Sequence, residues 1–443
     1  MRKRRSGYLV WGMALGWLLL VPEAVRAQVR GTIAGPGHSV YSIAIVPPQG
    51  PAGDPTGERF AEVLARDLEL SGMFRVLPAP PPDRRPRDSG VVRERIDFGA
   101  WEALGATLLV KGAFGYEKNE VRLAVRLFDV RQRTQIGGKR YVGLRADVPL
   151  AADRFADRVL ELTTGERGPF DSRIAFTSTR EGGFKEIWVA NANGTSAEQV
   201  TRNRTINLSP SWSPGGGEIL FTSYRDGRPR LYEVDLATHQ LRRVLGGQGL
   251  VVGGTFSPDG STIAVSREET RGNSEIVLVS PNGDQVRVLT RDRSIDVSPS
   301  WSPDGGRLAF CSSRDGTPQI YIADLGTGKV ERVTRRGSYN TSPAWSPRGD
   351  RIAFTGRASG RFQIFVADLA SGAVQQVTNA AGDSTDATWS PDGRYLAFAT
   401  TRSGRGEIWM SDWQGRAPRR LIATRGDDSS PSWSPRRIPL QGK

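Results

Sequence analysis

The chain has 443 residues, 24% charged and 37% hydrophobic, a balance that suits water-facing globular structure of two or three domains. Its formal net charge is +14, but the basic residues are scattered along the chain rather than gathered in one run, which argues against a nucleic-acid partner. The single cysteine, Cys311, excludes an internal disulfide and any cysteine-based metal site, and two histidines, His38 and His239, cannot form a His-x-x-x-His pair.

Residues 1–27 read as an export leader. Arg2-Lys3-Arg4-Arg5 precedes the apolar run Tyr8–Val21, and Ala24-Val25-Arg26-Ala27 supplies small residues near a cleavage point. The run of 14 is short. A membrane span needs ~20 residues, so cleavage after Ala27 is expected ahead of an uncleaved anchor. No cysteine lies near residue 27, which excludes lipid attachment there. The leader holds Arg2, Lys3, Arg4, Arg5 and Arg26 against Glu23, a net +4, so a chain beginning at Gln28 keeps 14 − 4 = +10. Residues Gln28–Ser39 are Gly-rich and precede the first convincing strand.

Residues 28–168 are expected to form an α/β domain. Ser42–Val46 and Phe74–Leu77 read as strands, and Gly57–Leu70 has apolar residues near helical spacing. A short helix around Phe98–Leu104 leads to a strand at Thr107–Gly112. Glu120–Val130 alternates Val121, Leu123, Val125 and Leu127, with Lys139–Leu144 beside it. Asp153–Leu162 is amphipathic, and Thr163–Phe170 is a linker. The expected result is a mixed sheet with helices on one side.

From residue 169 to 443 one phrase recurs: Trp212-Ser-Pro, Phe256-Ser-Pro-Asp-Gly, Trp301-Ser-Pro-Asp-Gly, Trp345-Ser-Pro, Trp389-Ser-Pro-Asp-Gly and Trp433-Ser-Pro. The aromatic positions stand 44, 45, 44, 44 and 44 residues apart, the signature of propeller blades. Pro presets φ, Asp bonds the backbone ahead and Gly accepts a positive φ, so Asp259, Asp304 and Asp392 are turn formers. Gly215 and Arg348 replace that Asp in two repeats. The aromatic residue reads as packing between sheets rather than as a ligand-stacking surface. Six second strands are expected, near Ile174, Ile219, Ile263, Leu308, Ile352 and Leu396. The first lacks a Trp-Ser-Pro partner and Ser430–Ser434 lacks a second strand, so the two orphans should pair. The predicted fold is thus an N-terminal α/β domain followed by a six-bladed β-propeller closed by the C-terminal strand.

Catalysis finds little support. There is no Gly-x-Ser-x-Gly elbow, and both histidines read as surface residues. No catalytic residue, metal ligand or cofactor site is expected. The segments before each aromatic residue hold Asn207, Asp296, Asn340, Asp383, Asp386, Asp427 and Asp428. Strand alternation puts them on the same ring face as Arg180, Arg225, Arg314 and Arg402, with the Pro-Asp-Gly turns opposite. One channel mouth should therefore be rimmed by Asp, Asn and Arg and serve as a partner-binding face, since loops on a rigid ring carry recognition.

With Ile43–Pro47, Leu70-Ser-Gly-Met-Phe74, Ala100–Gly105, Gly168–Phe176 and the six repeats in this order, the chain resembles the TolB family of periplasmic propellers in the Tol–Pal envelope system. The resemblance implies a periplasmic, monomeric, non-catalytic adaptor supporting outer-membrane integrity and cell division. Its implied partners are a Pal-like peptidoglycan-associated lipoprotein at a propeller mouth and a TolA-like inner-membrane protein. The implied signalling segment starts at Gln28, Val29 and Arg30. Two departures stand out: that segment lacks the family's acidic residues, and Leu250-Val-Val-Gly-Gly254 is apolar where the family's partner-facing loop is polar. The alternative is an exported propeller that binds or cleaves an envelope glycan or peptide.

Overall fold

Each Trp-Ser-Pro phrase, or Phe256-Ser-Pro in one blade, closes the innermost strand of a four-stranded antiparallel sheet, and six such sheets form the ring. The structure is a computed structural model that describes residues 40–437 apart from 81–85, 87–89, 248 and 271. The leader, its cleavage point, the segment from Gln28, Val29 and Arg30, and His38 lie outside the described residues. Among the described residues no helix is long and apolar enough to cross a membrane.

The orphan strands pair as expected. Asp428–Trp433 runs antiparallel to Arg173–Ser178, with Trp433 opposite Ile174, and so supplies the inner strand of the first blade. Each sheet is too small to bury both of its faces alone, and stacking on neighbours covers them. The aromatic residues sit in those seams. The Trp212, Trp301 and Trp389 indole N–H groups donate to Ser432 O, Thr255 O and Ala344 O in the preceding blade's inner strand, at 2.9, 3.1 and 2.9 Å. In the turns, Asp304 Oδ1 accepts from Gly306 N at 3.0 Å while Gly305 takes φ 70°, the left-handed value that favours glycine.

The N-terminal sheet has the order β2-β1-β3-β4-β5, from Phe74–Val76, Tyr41–Ile45, Leu108–Glu117, Glu120–Asp129 and Thr134–Gly143. β1 is parallel to β2 and β3, and the remaining pairs are antiparallel, so the sheet is mixed. Helices α1 (Thr56–Leu70) and α3 (Val148–Thr164) cover the face bearing Ile43, Leu108 and Val110. Helix α2 (Phe98–Ala103) covers the other, where Trp101 joins the cluster of Ala44, Leu109 and Phe128. This corrects the expectation of helices on one side. The run Leu108-Leu109-Val110 is apolar at every position and needs cover on both faces. Helix α3 also starts earlier than the periodicity implied, with proline in its first turn.

The α/β unit docks on the ring face that carries the Pro-Asp-Gly turns. One continuous core runs from Phe155 and Leu160 through Phe170 to Trp188, Tyr395, Met410 and Trp433. Tyr395 O–H donates to Ser71 O at 3.0 Å. Arg348, standing where sibling turns carry Asp, reaches Glu166 Oε2 at 2.5 Å. The turn residue is exchanged where the ring must hold the linker.

Candidate functional site

The expected rim residues lie at the predicted end of the ring, but most of them are beneath its surface. Asn207, Asp296, Asn340 and Asp428 are buried. Each begins an inner strand, covered by the start of the preceding blade's third strand and by the loop between the two blades. Asn340 Nδ2 donates to Gln319 Oε1 at 2.8 Å and to Arg336 O at 2.9 Å. Asn207 Nδ2 donates to Glu186 Oε2 at 2.9 Å. A threonine completes this latch: Thr334 Oγ1 donates to Gln319 Oε1 at 2.7 Å and accepts from Ile320 N at 2.9 Å. The same chemistry recurs with Thr290 on Glu275 and Thr378 on Gln363. These side chains bind blade to blade, which corrects their placement on the rim. In the third blade Val251 stands at the latch position, and Arg230 donates instead to Gly249 O and Gly247 O at 2.7 and 2.5 Å.

The arginines divide. Arg314 is partly buried, stacks 4.9 Å from the Tyr321 ring centroid and donates to Asp296 Oδ2 at 3.0 Å. Arg180 lies 4.2 Å from the Trp188 ring and Arg402 4.1 Å from the Trp409 ring. These three are packed against aromatic faces, where a guanidinium gains both contact and electrostatic attraction. Arg225 is exposed, 5.4 Å above Tyr232. Burial holds the Asp296 carboxyl above its ordinary range, with Arg314 pulling the other way. Burial likewise raises Asp428, opposed in part by Ser178 and Arg180.

Asp386 lies deeper, inside the channel. The third residue of each inner strand has a left-handed backbone: Ser209, Gly253, Ser298, Ser342, Asp386 and Ser430 have φ of 52, 60, 58, 50, 54 and 49°. These bulges line a channel of about 280 Å³. Water reaches Asp386, yet protein surrounds it, and that desolvation raises its pKa against bonds from Ser342 and Ser430. Among the described residues no three His, Cys, Asp or Glu side chains converge as metal ligands. His239 sits in a surface turn, its N–H donating to Asp235 O at 2.8 Å.

The exposed mouth belongs to a position that sequence reasoning missed. One residue before each latch stands Ile206, Leu250, Ile295, Tyr339, Asp383 or Asp427. The carbonyl of each accepts an N–H from the far end of the second strand or the loop just after it, from Tyr224, Glu268, Ser313, Arg357, Thr401 and Thr179 respectively. With the backbone pinned inward, the side chains face out. Ile206, Leu250, Ile295 and Tyr339 are 44, 42, 49 and 39% exposed, and Val252 joins them at 39%. Asp383 and Asp427 are occupied, accepting from Phe362 N and Gly406 N, both at 2.9 Å. The result is an apolar collar across four blades. Around it, on the loops between blades, Arg202, Arg204, Arg291, Arg293, Arg335 and Arg336 are exposed and pair with no carboxylate among the described residues. The spacing of the collar was visible in the repeat register, at 44, 45 and 44 residues from Ile206 to Tyr339.

A six-bladed ring with a small α/β domain docked on one face defines the class by fold: a β-propeller protein with an N-terminal α/β domain. Within that class the chain belongs to the TolB family. Residues 160–437 match the TolB beta propeller domain and residues 30–136 the TolB amino-terminal domain. The Tol-Pal system protein TolB of Bordetella parapertussis is 33% identical over 329 residues, 73% of this chain and 72% of that protein. The Protein TolB homolog of Chlorobium luteolum is 35% identical over 266 residues, 60% of each chain. The Tol-Pal system protein TolB of Syntrophotalea carbinolica is matched over 48% of its length, so about half to three fifths of these two relatives is spanned. The crystal structure of TolB from Acinetobacter baumannii superposes with a TM-score of 0.80 at 28% identity, covering 90% of this chain and 97% of that one.

Proposed function

We propose that this chain is an adaptor of the Tol-Pal envelope system whose propeller mouth binds a Pal-like peptidoglycan-associated lipoprotein. It acts in the periplasm without catalysis and supports outer-membrane integrity and cell division. Residues 28–168 and 169–443 divide the work. The segment from Gln28, Val29 and Arg30 reaches a TolA-like inner-membrane protein, and the ring grips the lipoprotein. The names of the relatives support the system, and the mouth supports the mode of binding. The observation that carries it is the exposed collar of Ile206, Leu250, Ile295 and Tyr339 inside a frame of arginines that pair with no carboxylate among the described residues. An apolar centre with a polar rim is the anatomy of a protein–protein interface, and rim charge steers encounter. Of the arginines expected there from sequence, Arg225 is available for contact, while Arg180, Arg314 and Arg402 form the fixed floor beneath.

The test is calorimetric titration of the cell's own Pal-like lipoprotein against the chain. Ile295→Asp with Tyr339→Asp should weaken binding at least about a hundredfold, the scale of a lost hot spot. Arg204→Glu, Arg293→Glu and Arg336→Glu together should weaken it and reverse its salt dependence. Asp259→Asn, on the opposite face, should leave it unchanged. Unaltered affinity in both mouth variants, or capture of a peptidoglycan fragment in place of the lipoprotein, would overturn the reading.

A further inference from the structure

We propose that Asp67 and Asp153 share a proton at the junction of the two domains, and that this proton sets how tightly the α/β domain docks on the propeller. The geometry is specific. Asp67 lies on α1 and Asp153 on α3, and both are completely buried. Asn193, from the turn Asn191–Thr195 of the first blade, inserts between the helices. Its Nδ2 donates to Asp67 Oδ1 at 2.8 Å and to Asp153 Oδ1 at 3.2 Å. Arg66 Nε holds the same turn by donating to Asn193 O at 2.8 Å. The second oxygens, Asp67 Oδ2 and Asp153 Oδ2, have no hydrogen-bond donor among the described residues. Two carboxylates on one amide, each with an unsatisfied oxygen, are an arrangement that buried anions do not tolerate. A proton carried by either carboxyl supplies the missing donor and removes the repulsion. The amide of Asn193 then bridges helix and blade without an uncompensated charge.

Of the surrounding charges, Arg437 opposes the burial of Asp153 without cancelling it. From the tail, Arg437 Nη1 stands 3.9 Å from Asp153 Oδ2 and directs Nη2 to Asn191 Oδ1 at 2.6 Å. On α3, Asp157 is engaged with Phe170 N and Asp171 N at 2.7 and 3.1 Å. In the linker, Arg167 and, from α3, Arg154 both donate to Asp171 Oδ2, at 3.0 and 3.2 Å. From the first blade, the amides of Asn191 and Asn193 and the hydroxyl of Thr195 stand at this end. Burial pushes the Asp67 carboxyl well above the ordinary range, with the nearby Asp153 charge adding to it, and pushes Asp153 up to about 7.

The direction follows from linkage. Docked, the pair binds a proton that the separated carboxyls release above their ordinary range near 4. Docking is therefore strongest in acid and weakens as pH rises through about 7. One linked proton changes the docking equilibrium by at most about tenfold per pH unit.

Hydrogen exchange on the full chain between pH 5.5 and 8.5, corrected for intrinsic rates, reads this at the amides of Ser71–Met73 and Asn193–Thr195. Protection should fall with rising pH by up to about tenfold per unit in the unmutated chain and less steeply in Asp67→Asn and in Asp153→Asn, which leave Asp157, whose carboxyl burial also pushes up to about 7, to titrate at the junction. Equal slopes in the variants and the unmutated chain would overturn the proposal. Should the variants fail to fold, infrared spectra of the unmutated chain decide it. A carboxylic-acid band that persists at pH 6 and decays together with junction protection supports the shared proton. Absence of that band at pH 6 refutes it.

Discussion

The indole N–H of Trp433 donates to Ser172 Oγ at 2.9 Å, joining the last strand of the ring to the residue before its first. These two side chains are 261 residues apart, and no covalent link reinforces them. Trp433 is also part of the core shared with the α/β domain. Trp433→Ala should therefore lower stability by about 3–5 kcal/mol, the range for removing a buried aromatic. Truncation before Ser430 should reduce it further, since the first blade loses a whole strand and two sheet interfaces open. A thermal melt of each variant measures this, and an unchanged midpoint in the truncated chain contradicts closure by the tail.

Arg314 and Asp296 give a pH-dependent prediction. Burial raises the Asp296 carboxyl, and Arg314 opposes that rise from 3.0 Å. A folded-state pKa above the unfolded value means native stability is greatest below the ordinary carboxylate range and declines as pH rises through the folded value. Arg314→Ala removes the opposing charge and moves that value higher. Near pH 3.5 the variant should lack only the stacking on Tyr321, and its deficit should grow by about 1–3 kcal/mol at pH 7, where the ion pairs with Asp296 and Asp292 are lost as well. Denaturant titrations at the two pH values would show it. A deficit independent of pH would mean that stacking on Tyr321, and not the ion pair, is what the arginine contributes.

The threonine of the inter-blade latch has a role that a methyl group cannot fill. Thr334→Val keeps the shape but leaves Ile320 N without its acceptor and Gln319 Oε1 without one donor. The expected loss is about 1–3 kcal/mol, the cost of an unsatisfied buried group. Faster amide exchange confined to the seam between the fourth and fifth blades should accompany it. Uniform exchange across the ring would place the effect elsewhere.

Cys311 is buried beside Asn340 O, and burial pushes its thiol up to about 11. At pH 8 about one molecule in a thousand then carries the thiolate, the form that reacts with alkylating agents. Iodoacetamide should leave the folded chain unmodified and label it fully in denaturant. Mass spectrometry after timed exposure checks this, and rapid labelling of the native chain would contradict the burial.

What the sequence determined by itself is the repeat and its consequences. The period of 44, the Pro-Asp-Gly turns and the two orphan strands at Ile174 and Trp433 specify six blades and their closure, because strand pairing and turn chemistry are local and recur in register. The α/β elements were legible for the same reason, as alternation and helical spacing. Tertiary structure alone decided which residues face outward at the mouth. Asn207, Asp296, Asn340 and Asp428 look like a polar rim in a linear reading. They are buried because the preceding blade's third strand and the loop between blades close over them. Ile206, Leu250, Ile295 and Tyr339 look like core and are exposed, because their own carbonyls are held by the end of the second strand or the loop after it. The pairing of Asp67 with Asp153 around Asn193 was equally hidden. Asn193 lies 126 residues from Asp67 and 40 from Asp153, and burial is a property of neighbours that only the folded chain assembles.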